Sequence, residues 1–269
     1  MVATTCLMLG CAASAPSAPS APPEPRSLKV TLTPGQAHYS IRSNLDVEQD
    51  VGGQIQESDL RLLYYLTAEL APAAAGLSAT LVLDSVGRYD GTAAVATDFR
   101  QARGVTFKGH LQPNGELAGF QGGDTTIRFI RELREDIRGF FPRLPTPGAE
   151  PGARWVDTTE RRSASSGVPL FIWSVANHHV EAVGEHRGEP TLPIRTQTSY
   201  HFEGTGVQGG QAFRVDGSGE RHETELISIT GRYLGLVSTD SSSFMITLAG
   251  TGLQIPGRQV RADTVSIVP

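Results

Sequence analysis

The chain has 269 residues, of which 39% are hydrophobic and 19% charged, enough for one large domain or two modest ones. A net charge of −5, from 23 basic and 28 acidic residues, excludes the concentrated basic surface that nucleic acid requires. Both cysteines, Cys6 and Cys11, lie near the start, so the body of the chain offers no disulfide, thiol nucleophile or cysteine-based metal site.

Leu7-Met8-Leu9-Gly10-Cys11 places an apolar run and a small residue before a cysteine. This resembles the bacterial lipobox, where a signal peptidase cuts before a cysteine that carries a diacylglyceryl group. The resemblance implies a signal peptide over 1–10, lipidation of Cys11 and attachment to a membrane through the acyl anchor. Met1–Thr5 lacks the basic residues such signals usually carry, as expected for a chain read from a late start codon. The apolar run is far short of the ~18 residues that cross a bilayer. Residues 12–25 contain only Ala, Ser, Pro and one Glu, and with Cys11 the stretch 11–26 reads as anchor and semi-rigid tether. Ala12 is not the aspartate that retains lipoproteins in the inner membrane of enterobacteria. By that analogy the outer membrane is favoured if the cell is Gram-negative.

From residue 27 the pattern is that of one β-rich domain. Leu28, Val30 and Leu32 alternate with polar residues and predict a strand, and Pro34-Gly35 a turn. Tyr39, Ile41, Ser43 and Leu45 begin the next strand. Segment 59–70 fits a helix and also alternates as Leu60, Leu62, Tyr64 and Leu66; its turn-like flanks and tyrosines favour strand. Strand is expected again over 77–91, and a hairpin over 104–120 turning at Pro113-Asn114-Gly115.

One amphipathic helix is expected at 127–139, with Ile127, Ile130, Leu133 and Ile137 at helical spacing. Asp124 or Thr125 can cap its start, and Gly139 and Pro142 can end it. Its arginines alternate with Glu132, Glu135 and Asp136, which points to an ion-paired face and away from phosphate binding. A Pro/Gly-rich crossing follows over 140–157. Strands are then expected around 170–175, 178–185, 196–204, 209–216, 220–230, 232–238, 243–249 and 258–268. The fold class is mainly β (α+β): a large curved antiparallel sheet or half-barrel with one helix. Two β halves, about 27–141 and 154–269, suggest a pseudo-repeat, because 212–226 resembles 107–117 in placing a turn glycine between strands.

Chemistry-bearing patterns are sparse. His178, His179 and His186 sit among Glu181 and Glu185 without the spacing of a metal site, and read as solvent-facing residues of an amphipathic strand. Arg221, Glu223 and Glu225 are expected to alternate outward on an exposed strand. Ser218 lies between glycines, but Asp216 breaks the nucleophile-elbow pattern, so Ser218 and the polar run 239–244 read as turns. No assembled catalytic motif, metal set or cofactor loop is present in the sequence, and the chain reads as non-enzymatic.

Phe141-Pro142-Arg143-Leu144-Pro145, followed by Gly152-Ala153-Arg154-Trp155, resembles a motif of uncharacterised bacterial envelope lipoproteins. The resemblance implies a β-rich envelope domain and supplies no catalytic residues. In the motif, prolines fix an extended crossing and Trp155 plugs a core edge. The favoured expectation is a non-enzymatic domain that binds an apolar ligand or lipid in a sheet concavity. Trp155, Phe107, Trp173 and Ile130 are the candidate ligand or core contacts. The alternative is a structural or interaction lipoprotein that contacts another envelope protein or the cell wall. The interior distinguishes them: a carrier needs an open apolar cavity, whereas a structural domain fills that space with side chains such as Leu81, Leu83, Phe107, Ile130, Phe171 and Trp173.

Overall fold

The structure, a computed structural model, describes residues 28–89, 97–163, 168–208 and 210–268. Residues 1–27, which include Cys11 and the stretches read from the sequence as signal peptide and tether, lie outside these residues. The first wing is a meander of β1 (Gly35–Val51), β2 (Gln54–Ala73), β3 (Gly76–Arg88), β4 (Thr106–Leu111) and β5 (Leu117–Gly122). Helix α1 (Thr97–Ala102) interrupts it, and α2 (Arg128–Arg138) follows it. The chain then crosses to the far edge as β6 (Arg154–Ser163). It returns through β7 (Leu170–Val180), β8 (Gly184–His186), β9 (Glu189–Gln208), β10 (Gln211–Ser228), β11 (Tyr233–Leu248) and β12 (Gln254–Val268).

All twelve strands belong to one open antiparallel sheet, in the order β5-β4-β3-β2-β1-β12-β11-β10-β9-β7-β6, with β8 paired to β9. The two wings meet where β12 pairs with β1, from His38↔Val268 to Gln49↔Gly257. Residues 59–70 are strand, and their alternation sets the register: Leu62, Tyr64 and Leu66 point to the inner face opposite Ser43, Ile41 and Tyr39. The β1–β2 turn is Gly52-Gly53, both at positive φ (66° and 87°), the backbone a tight hairpin demands and β-carbons resist.

The main core lies on the inner face of β1–β4. There Leu66, Leu81, Leu83 and Phe107 are fully buried under Ile130, Leu133 and Ile137 of α2 and under Phe99 and Ala102 of α1. The period of 3.6 in α2 thus meets the period of 2 in the sheet. Helix α1, absent from the sequence expectations, is a six-residue element with only Phe99 and Ala102 to mark it. Asp124 does not cap α2; its carboxylate accepts from the Thr126 amide at 2.9 Å and so closes the turn ahead of the helix. Beyond α2, Phe140 and Phe141 pack edge-on against Tyr39 and Tyr233. Val30, Leu144, Ala149, Val180, Leu192, Ile194 and Ile227 form a second core that ties the crossing to the other wing. Val30 makes only a paired bridge with Ala149, two hydrogen bonds of 2.8 Å, so 28–32 is not the strand its alternation suggested.

Two further expectations are corrected. Gly217, Ser218 and Gly219 lie inside β10, and Ser241–Ser243 inside β11, with an unbroken pairing register between them. The glycines are there for space. A β-carbon on Gly219 would meet the Tyr200 ring, and one on Gly217 would meet the Phe202 ring and the Ser243 carbonyl; the Phe244 ring lies over Gly257 of β12. Aromatic side chains of the neighbouring strand β9 fold over the bare backbone.

Candidate functional site

The inner face divides into a filled end and a polar end. Phe107 is 0% exposed and Ile130 1%, so both candidates are core, together with Leu81 and Leu83. Further along the strands the inner face carries Arg221, Glu223 and Glu225 of β10, Asp240 of β11, and Arg261 and Asp263 of β12. Arg221, Glu223 and Glu225 therefore face inward, contrary to the outward placement expected of 219–225. Alternation was read correctly, but its parity was not: Leu226 and Ile227 are both apolar, and it is Ile227 that is fully buried, on the same face as Glu225.

This belt is a brace. Arg221 contacts Glu223 at 2.6 Å, and Arg261 reaches Asp263 at 2.9 Å and Asp136 of α2 at 3.1 Å, fastening the helix to the sheet. The Tyr200 hydroxyl donates to the Asp240 carboxylate. Burial pushes the Glu225 carboxyl well above the ordinary range, and the neighbouring charge of Glu223 adds to the shift. Burial also raises Glu223, against the pull of Arg221. The charges are spent largely on one another.

Among the described residues, no group of three or more His, Cys, Asp or Glu side chains converges as a metal site would. Two hollows, of about 740 and 500 Å³, open on the outer face. The larger is lined by Glu48, Asp50, Asp216, Ser243 and Arg258, and the smaller by Arg154, His179, Arg195, Gln197 and His222. Both are wide and open and carry charged side chains beside apolar ones such as Ile55, Met245 and Val237, unlike the enclosed pocket that buries an apolar ligand.

The most distinctive surface lies at the β6 edge. On its inner side Trp155 is half-buried against the second core and stacks on His178, with centroids 4.6 Å apart and planes 7° from parallel. His178 is 5% exposed, not solvent-facing as its neighbours suggested. The parity of Ile172, Ala176 and Val180 could have revealed this. Its Nδ1 shares a 2.8 Å hydrogen bond with the Thr196 hydroxyl, and the Asp157 carboxylate stands 3.2 Å from Nε2. Burial lowers the imidazole pKa, against the opposing pull of Asp157. These contacts stitch β6 to β7 and β9.

On its outer side, Val156, Phe171, Trp173 and Val175 form an exposed apolar strip. Phe171 and Trp173 were expected among the core fillers. They are 39% and 36% exposed because, in β7, Ile172 and Ser174 take the inner parity. The Arg162 guanidinium lies 4.6 Å from the Phe171 ring centre, and Trp173 stacks between Phe171 and His201 at 6.1 and 5.8 Å.

The two ends of the sheet differ. β5 is six residues long, its pairing with β4 is irregular at Lys108/His110, and Gly119 and Gly122 take positive φ (60° and 121°). Such an edge is poorly suited to further pairing. β6 pairs with β7 in continuous register from Arg154↔His179 to Ser163↔Leu170, and among the described residues no strand lies on its other side. Its ten residues include no proline or glycine. Trp155 and Trp173 thus flank one edge from opposite faces, while Phe107 and Ile130 are remote in the main core. Comparison with protein-family models and with curated proteins finds no match for the chain.

Proposed function

We propose that the chain is a lipid-anchored lipoprotein of the bacterial cell envelope, held through Cys11, that acts without catalysis as an interaction module. The outer membrane is the favoured site in a Gram-negative cell. The domain takes an extended segment of another polypeptide along β6. The observation that carries this reading is the long, regular free edge of β6 beside the exposed strip Val156, Phe171, Trp173 and Val175. A strand added along Arg154–Arg162 finds an edge that no strand of the described residues pairs, with backbone N–H and C=O groups for affinity and an apolar surface for its outward side chains. A carrier of apolar ligands is the competing reading. It draws no support from the interior, where the apolar half is filled and the remainder is ion-paired.

A photoreactive residue placed at Val156 and, separately, at Gln121 on β5 tests the reading in cells. A polypeptide adduct from position 156 and none from 121 is expected. No adduct at 156, or equal labelling from both edges, would contradict it.

A further inference from the structure

Building on the edge-docking reading, we infer that the segment received by β6 is β6 of a second copy of this chain, related by a dyad perpendicular to the sheet through Thr159. Such a dyad keeps both inner faces on the same side, so only residues of like parity can oppose one another. The inner-face residues of the edge are Trp155, Asp157, Thr159, Arg161 and Ser163, and the outer-face residues Arg154, Val156, Thr158, Glu160 and Arg162.

Centring the pair on Thr159 sets Asp157 against Arg161 of the second copy, and Arg161 against its Asp157. Two unlike-charge pairs then lie symmetrically about the axis. On the outer face, Thr158 meets Glu160 and Val156 meets Arg162 of the second copy. The neighbouring registers are penalised. Centring on Asp157, Glu160 or Arg161 sets a charge against its own copy, and centring on Thr158 sets Arg154 against Arg162. Like charges directly opposite one another destabilise a sheet. The edge sequence is therefore self-complementary in one register.

The side chains are available for these pairings. Asp157 is 35% exposed although it faces His178. The Arg161 side chain is exposed and makes no hydrogen bond or ion pair with another described residue. Arg162, already lying over Phe171, brings its aliphatic stem to Val156 of the second copy and joins the two apolar strips. A charged edge that discourages strange strands thereby admits its own.

The test uses the full chain with Cys6→Ser and Cys11→Ser, so that one introduced thiol is the only one present. Under mild oxidation Thr159→Cys is expected to give a disulfide-linked dimer. Val156→Cys alone, whose counterparts lie far apart across the axis, is expected to stay monomeric, and Val156→Cys with Arg162→Cys to crosslink. Arg161→Asp, which alters only an exposed side chain, should weaken self-association measured by sedimentation about tenfold or more. Thr159→Cys remaining monomeric with a native circular-dichroism spectrum, or Val156→Cys crosslinking as well as Thr159→Cys, would overturn the inference. If Thr159→Cys fails while the Val156 photo-adduct is a different polypeptide, the second copy is excluded and the edge reading stands. If there is no adduct either, both fall.

Discussion

The imidazole of His178 lies flat on the indole of Trp155, directly across the β6–β7 pair. This contact anchors the edge strand on its inner side while the outer strip stays open to solvent. Trp155→Ala removes the ring from the second core and uncovers His178. A loss of about 3 kcal/mol is expected in chemical denaturation, at the low end for tryptophan because the ring is half-buried. An unchanged midpoint would show that Trp155 packs against nothing.

His178 gives stability a pH dependence of defined sign. Burial lowers its folded pKa below the ordinary 6.5, so the unfolded chain takes up the proton first. Above 6.5 both states are neutral and nothing is lost. As pH falls from 6.5 toward the folded value, stability declines. His178→Gln should show a smaller fall in melting temperature between pH 7 and 5 than the parent chain; an equal fall would contradict the buried neutral imidazole.

Glu225 acts in the opposite direction. Its folded pKa is raised above 4.5, so the folded state holds the proton that the unfolded state releases, and stability is lost as pH rises through that window. Glu225→Gln keeps the neutral form at every pH. Its melting temperature should exceed that of the parent at pH 8, with the gap narrowing toward pH 4. A gap independent of pH would mean that Glu225 does not titrate between the two states.

Tyr39 and Tyr233 make a second diagnostic pair. The Tyr39 hydroxyl donates to the Tyr233 carbonyl at 3.0 Å, whereas the Tyr233 hydroxyl is buried with no hydrogen-bond partner among the described residues. Tyr39→Phe should therefore cost about 1 kcal/mol, and Tyr233→Phe should be neutral or stabilising by up to about 1 kcal/mol. Urea denaturation of both variants reads the difference, and equal losses would contradict the asymmetry.

Trp173 separates stability from interaction. On the outer face its removal leaves no cavity, so Trp173→Ala should change folding stability by about 0.5 kcal/mol or less. It should nevertheless reduce photo-crosslinking from Val156, because the apolar strip is interrupted. A large stability loss with crosslinking intact would place Trp173 in the fold and outside the contact surface.

The alternation of Leu60, Leu62, Tyr64 and Leu66 was enough to identify β2, and the spacing of Ile130, Leu133 and Ile137 to identify α2. Length was less legible. Gly217-Ser218-Gly219 and Ser241–Ser243 have turn composition, yet β10 and β11 run straight through them, because the rings of Phe202 and Tyr200 need the bare backbone of Gly217 and Gly219 to lie on. That requirement arises from strands distant in sequence and leaves no local signal. Of the candidate site residues, Trp155 was legible from its place after a proline-rich crossing. Trp173 was not, since parity tells which residues share a face but not which face is covered. Only the path of the crossing from α2 to β6 decides that.

The central claim is that the domain docks a polypeptide and does not carry an apolar molecule. Native mass spectrometry with organic extraction, on residues 26–269 purified without the anchor, tests it most directly. The expected result is a chain free of co-purified lipid and unresponsive to a lipid panel. A lipid or other apolar molecule bound at near-stoichiometric amount would contradict the claim and restore the carrier.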